Sequence, residues 1–213
     1  MDLQTYLESH TTPMGAVADG VERWAHLNTP QPQMLCGPYE GRLLAMLCRV
    51  LNARCVVEIG AYIGYSALCL AQGLDDDGVI HSFEVNDEYE SVIQRHLQKA
   101  GVQRRVSLHI GDARSLLMEV FPEGDRVIDM AFIDAGKRDM KEYYELLLPR
   151  MRAGGIIVVD NVLWGGKTMD YDTYNDADTR LIRAFNDYVQ EDDRVENILL
   201  GLRDGILVAL VKG

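Results

Sequence analysis

Val56-Val57-Glu58-Ile59-Gly60-Ala61-Tyr62-Ile63-Gly64-Tyr65-Ser66 begins as a β-branched apolar run, breaks at one glycine and meets a second where a helical pattern starts. Cys55 to Ile59 reads as a buried strand, and Ser66 to Gln72 as the helix that follows it. Glycine lets the backbone turn sharply and come close to a ligand. The spacing Gly60-x-x-x-Gly64 lacks the G-x-G-x-x-G triplet, so the turn alone fits a structural role as well as a binding one.

Outward from this stretch the alternation continues. Strands are expected at Val79–Phe83 running into Glu84, Val106–Ile110 before Gly111-Asp112-Ala113, Met130–Ile133 before Asp134, and Ile156–Val159 before Asp160-Asn161. Helices are expected over Asp87–Ala100, Ala113–Val120, Lys141–Leu148 and Asp178–Gln190. This rhythm gives an α/β fold, a parallel sheet covered on both faces. Glu196–Leu200 and Ile206–Val211 are separated by only five residues, too few for a parallel crossover, so they are expected to form an antiparallel hairpin. On the N-terminal side, helices are expected within residues 2–27 with a break at Thr12-Pro13. A loop follows over 28–38, then a helix from Tyr39 to about Asn52.

The 213 residues fit one domain. With 21 basic against 33 acidic residues, the net charge of −12 disfavours sequence-independent nucleic-acid binding. Arg104, Arg105, Arg150 and Arg152 are the residues from which a local basic patch could still be built. Cys36, Cys48, Cys55 and Cys69 show no CxxC spacing and read as reduced, mostly buried thiols. The first residues lack the pattern of a signal peptide and no apolar run spans a bilayer, so a cytoplasmic protein with no membrane partner is expected.

In open α/β sheets ligands bind beyond the carboxyl ends of the strands. Here those ends carry Glu58, Glu84, Asp112, Asp134 and Asp160 with Asn161. Glu84 lies 24 residues after Gly60, where a carboxylate can accept both hydroxyls of a ribose; NAD and S-adenosylmethionine both satisfy that much. Asp134, Asp160 and Asn161 offer oxygen donors from neighbouring strands, a set that suits Mg²⁺, Mn²⁺ or Ca²⁺. The same residue types also serve as helix caps and Asx-turns. Lys137 would lie near whatever such a metal coordinates, and a lysine beside a cation can act as a base.

Taken together, these motifs resemble the metal-dependent O-methyltransferases related to plant caffeoyl-CoA O-methyltransferase and, more distantly, catechol O-methyltransferase. The resemblance covers nearly the whole chain. It runs from His10-Thr11-Thr12-Pro13 and Gln33-Met34-Leu35 through the glycine turn, Phe132-Ile133-Asp134-Ala135-Gly136-Lys137 and Tyr143-Tyr144-Glu145. It ends at Val159-Asp160-Asn161-Val162-Leu163-Trp164-Gly165-Gly166, its most specific part. It implies a Rossmann-like methyltransferase sandwich, a seven-stranded, mostly parallel sheet with an antiparallel last strand. It implies S-adenosylmethionine as methyl donor and a divalent metal, Mg²⁺ above all, held by Asp134, Asp160 and Asn161. Lys137 would be the catalytic base. Glu58, Gly60, Ala61 and Ser66 would line the methionine end of the cofactor, Glu84 the ribose, and Asp112 and Ala113 the adenine. Met34, Cys36 and Asp134 would touch it as well. Residues 1–38 would shape the acceptor site and a homodimer, and 39–213 would form the cofactor-binding core. The acceptor would be a small catechol-like vicinal diol.

Three positions depart from the family pattern. Gly136 replaces a second aspartate, Cys36 a Ser or Thr, and Gly165 the substrate-binding Asn of plant enzymes, which puts the plant substrate in doubt. Three other readings compete: a tRNA hydroxyuridine methyltransferase of the same family, an NAD-dependent oxidoreductase, and a non-catalytic S-adenosylmethionine-binding module.

Overall fold

In the computed structural model, residues 1–122 and 124–213 are described. Seven strands form one sheet in the order β3-β2-β1-β4-β5-β7-β6: β1 Cys55–Ile59, β2 Val79–Glu84, β3 Val106–Ile110, β4 Ile128–Ile133, β5 Met151–Asp160, β6 Val195–Leu200 and β7 Ile206–Val211. β1 with β4 and β4 with β5 pair in parallel, whereas β7 runs antiparallel to both β5 and β6, so the expected mostly parallel sheet with its closing hairpin is present. The chain groups into two compact units, Met1–Cys55 with Ala61–Asp112, and Val56–Gly60 with Ala113–Gly213.

The first unit carries helices α1 (Leu3–Ser9), α2 (Ala16–Asn28), α3 (Gly37–Val50), α4 (Tyr65–Gly73) and α5 (Glu90–Lys99) with the parallel pair β2–β3. The break expected at Thr12-Pro13 separates α1 from α2. Asp2 caps α1 by accepting from the Thr5 backbone N–H at 2.8 Å, yet α1 buries none of its residues. In α4 only Gln72 is exposed; a helix apolar all round belongs in a core. Its packing on α3 needs Gly73, where a Cβ would stand 1.8 Å from the Ala45 carbonyl oxygen.

The second unit carries β1, β4, β5, β7 and β6 with helices α6 (Ala113–Val120), α7 (Met140–Leu147) and α8 (Ala177–Gln190). Val56, Val57, Met130, Ala131, Phe132, Ile157, Val158 and Val159 are fully buried, as the continuous apolar runs of a doubly covered sheet require. Strand β5 starts five residues before the expected Ile156. Its early part, Met151-Arg152-Ala153-Gly154-Gly155, is poor in β-formers. It is held by Met151 opposite Ile128, by a register shift between Ile128 and Met130, and by an Arg152–Asp129 ion pair at 2.5 Å. A bulge with Gly154 at φ +74° explains why the strand pattern is hidden there. No helix among the described residues is long and apolar enough to cross a membrane. All four cysteines are free; Cys36, Cys48 and Cys69 are buried and Cys55 half-buried.

Candidate active site

Register places the first cluster. Ile59 lies opposite Ile133 and Ile133 opposite Val159, so β1, β4 and β5 end level with one another and project Gly60, Asp134 and Asp160 from adjacent strands. Gly60 has φ +98°, and a Cβ there would come within 2.0 Å of the Asp134 carbonyl oxygen. The glycine therefore permits the close approach of two strand exits, beyond any local turn preference.

Around this point charge is concentrated and poorly solvated. Glu58 is fully buried on β1 and Asp160 is 5% exposed at the tip of β5. Burial raises the Asp134 carboxyl above the usual range, and the Asp160 carboxylate adds to that rise; the Lys137 ammonium opposes it, Glu58 raises it further, and Arg203 also opposes it. Asp160 is likewise raised, chiefly by burial, against the Asn161 backbone N–H that donates to its Oδ1 and the fields of Lys137 and Arg203. Asn161 adopts φ +63°, a left-handed conformation in which Asn is among the more tolerant residues. Its Oδ1 accepts a short hydrogen bond from Lys137 Nζ, which also reaches the Ala135 carbonyl at 3.4 Å.

Lys137 has two further neighbours. Its ammonium lies 5.6 Å from the centroid of the Trp164 ring. It also borders a cavity of about 390 Å³ lined by Arg138, Lys141, Phe185 and Tyr188 among others. Trp164 sits at φ +51° before two glycines, also at positive φ, and its buried Nε1 finds no acceptor among the described residues. Arg183 of α8 fixes the following loop by donating to the carbonyls of Lys167, Thr168, Asp170 and Tyr174 at 2.7 to 3.0 Å.

The first unit holds the other expected residues. Glu84, 7% exposed, accepts the Tyr62 backbone N–H on Oε2 at 2.7 Å and the Asn86 N–H on Oε1 at 2.9 Å. Each oxygen has further acceptor capacity. The first of these bonds ties the second strand exit to the glycine turn and stabilises Tyr62 at φ +50°. Gly111 N–H donates to the Glu84 carbonyl at 2.8 Å, which brings the Asp112 segment beside Glu84. Ala61 and Ser66 are buried at the start of the turn and in the first turn of α4; Tyr62 donates its hydroxyl to the Gln31 carbonyl at 3.3 Å. Cys36 is buried at the entry of α3, Met34 is 48% exposed in a short 3-10 turn, and Ala113 opens α6 in the second unit.

Sequence reasoning did not identify Tyr62, Arg183 or Arg203. Arg183 alone left a signal: an arginine on the apolar stripe of α8, beside Ile182 and near Phe185. Of the arginines considered for a basic patch, Arg105, Arg150 and Arg152 bond to partners within the fold. Arg105 donates to the carbonyls of Ala71, Leu74 and Asp75, Arg150 is buried against those of Phe121 and Leu146, and Arg152 pairs with Asp129.

Comparison with known proteins identifies the family. A family model described as O-methyltransferase matches residues 16–212. A Dictyostelium discoideum protein named "Probable caffeoyl-CoA O-methyltransferase 2" is 33% identical, covering 94% of this chain and 87% of its own. Among solved structures, the SAH-bound methyltransferase of Podospora anserina superposes with a TM-score of 0.88 at 26% identity, over 99% of this chain and 94% of that one. The Streptomyces achromogenes O-methyltransferase involved in tomaymycin synthesis, solved with SAM, gives a TM-score of 0.85 at 31% identity over 98% and 95%. With the family model spanning all but the first helix, and the fold shared end to end with such enzymes, the chain belongs to the O-methyltransferase family and is an enzyme of that family.

Proposed function

We propose that the chain transfers the methyl group of S-adenosylmethionine to one hydroxyl of a small catechol-like vicinal diol, with a divalent metal at the ends of β4 and β5. The observation that carries this reading is the pairing of Asp134 and Asp160 beside Asn161 and Lys137. Two carboxylates close together in a poorly solvated setting are costly without a cation. Among the described residues no three or more His, Cys, Asp or Glu cluster as a metal site, so the third donor would be the amide oxygen of Asn161. The set is oxygen-only, which fits Mg²⁺ and also Mn²⁺ or Ca²⁺. Bound there, the cation would supply the positive charge that lowers the pKa of the acceptor hydroxyl.

Lys137 Nζ, after giving up one of its own protons to solvent, would take up the hydroxyl proton, and its bond to Asn161 would hold it at the site until the acceptor arrives. Glu84 would accept the ribose hydroxyls of the cofactor while keeping its grip on the Tyr62 N–H. Gly60, Ala61, Ser66 and Glu58 would line the methionine end with Asp134, Asp112 and Ala113 the adenine, and Met34 and Cys36 the remaining edge. Methyl transfer needs the attacking oxygen and the sulfonium carbon about 3 Å apart and in line, so the protein's main contribution is orientation. The chain would work as one domain and as a homodimer, the latter checked by sizing in solution. Arginines bound to internal partners favour a small acceptor over tRNA. The test is Mn²⁺ binding followed by paramagnetic resonance, in wild type and Asp160→Ala. One ion per chain, weakened at least tenfold by the substitution, is expected; equal binding by both proteins would refute the site.

A further inference from the structure

We propose that Lys167 is a specificity-determining residue that selects acceptors carrying an anionic substituent, a carboxylate on the catechol-like ring being the class it fits. The inference rests on the reading that Lys137 and the paired carboxylates mark the reacting end of the acceptor.

In a chain with 33 acidic residues against 21 basic ones, cations have no shortage of partners. Arg54, Arg114, Arg138, Arg152 and Arg194 all have carboxylates within ion-pair distance. Lys167 is half-buried and has none within that distance among the described residues. Two acids of its own loop, Asp170 and Asp176, are hydrogen-bonded elsewhere, and the Lys167 charge is the smallest of the effects that lower the Asp176 carboxyl. Asp170 accepts the Thr173 N–H at 2.9 Å, and Asp176 caps α8 by accepting the Thr179 N–H at 3.0 Å and its hydroxyl at 2.6 Å. The Lys167 ammonium instead lies 5.7 Å from the ring centroids of both Trp164 and Tyr174, at the outer limit of a cation–π contact.

Trp164 links this cation to the reacting end. Its ring centroid is 5.6 Å from Lys137 Nζ and 5.7 Å from Lys167 Nζ, so the ammoniums are separated by no more than the sum of the two. A turn through Gly165 and Gly166, closed by the Lys167 N–H on the Trp164 carbonyl at 3.1 Å, folds Lys167 back towards the indole. Arg183 pins the carbonyl of Lys167 itself at 2.7 Å, so the backbone that carries the cation is fixed before any ligand arrives. With two ammoniums and an indole N–H that lacks an acceptor, the surroundings of Trp164 are rich in donors. A ligand bearing acceptor oxygens at the end opposite its reacting diol complements them. A lysine that merely packs on aromatic rings would not discriminate by ligand charge, and that difference decides the test.

Binding of 3,4-dihydroxybenzoate and its neutral isostere 3,4-dihydroxybenzamide to the SAH-loaded full chain in Mg²⁺ is measured by calorimetry, with methyl transfer to each measured in parallel. Wild type is expected to bind the acid at least tenfold more tightly. Lys167→Met should bring the ratio to within twofold of one, Lys167→Arg should retain it, and 0.5 M salt should reduce it. A wild-type ratio within twofold of one, a ratio that survives in Lys167→Met, or no binding of either compound overturns the inference. If the ratio behaves as expected but neither compound is methylated, the inference on charge selection stands and the proposed reaction fails. If both are methylated with equal affinity, the reaction stands and the inference fails.

Discussion

Replacing Gly60 by alanine tests whether the strand exits are packed as described. The added Cβ would lie 2.0 Å from the Asp134 carbonyl oxygen and 2.8 Å from its carbonyl carbon, both backbone atoms that no rotamer change can move aside. The residue would also have to keep φ +98°. Left-handed backbone costs an L-residue roughly 1–2 kcal/mol, and forcing extra volume into a packed site typically adds about 1–3 kcal/mol. Their sum of about 2–5 kcal/mol is a large share of the roughly 5–15 kcal/mol stability of a typical domain, and for a chain of this size it lowers the melting temperature by roughly 4–20 °C. Gly15 provides the control, since it shares a positive φ of +93° but a Cβ there meets nothing within 4 Å. Gly15→Ala should therefore show only the backbone term, about 1–2 kcal/mol. Denaturant unfolding of both variants separates strain from collision. Equal losses, or a Gly60→Ala protein within about 0.5 kcal/mol of wild type, would refute the close approach of the β1 and β4 ends.

Two further outcomes follow from the same geometry. Arg183→Met removes the donors that hold four loop carbonyls, so acceptor KM should rise about tenfold while SAM affinity, read by calorimetry, stays within twofold; unchanged KM would show that the loop does not shape the acceptor site. Asp192 accepts from the Arg194 side chain and from the Tyr144 hydroxyl at 2.9 Å, and Arg194 above all holds its carboxyl down at about 2. A carboxyl depressed in the folded state stabilises above its unfolded value of 3.8, and that contribution is lost as pH falls from about 4 towards 2. The full shift would be worth about 2 kcal/mol; with Arg194 48% exposed, screening leaves about 1 kcal/mol. Asp192→Asn should flatten the stability curve between pH 4 and 2, and an unaltered slope in denaturant titrations would contradict the assignment.

Strand exits are the legible part of this chain. An apolar β-branched run that stops at a carboxylate identifies both the strand and its functional end, which is why residue order alone places Glu84, Asp134 and Asp160 at the ends of β2, β4 and β5. Contacts made through main-chain atoms are not legible. Arg183 acts on four carbonyls, and Glu84 on two backbone N–H groups, so neither leaves a paired residue type in the sequence. The early part of β5 is hidden for a related reason. Gly154 and Gly155 read as a loop, although Gly155 is buried where a Cβ would stand 2.9 Å from the Asp129 carbonyl oxygen. The partners of the arginines are hidden in the same way: charge alone does not reveal that carbonyls and Asp129 bind Arg105, Arg150 and Arg152.

Metal-assisted methyl transfer to a vicinal diol is tested most directly by one assay, transfer of labelled methyl from S-adenosylmethionine to 3,4-dihydroxybenzoate and to 4-hydroxybenzoate, each with Mg²⁺ and with EDTA. The account predicts product from the diol with Mg²⁺, a loss of at least about 100-fold in EDTA, and no product from the monophenol. Equal turnover of the diol with Mg²⁺ and with EDTA, or methylation of the monophenol at a comparable rate, would contradict it.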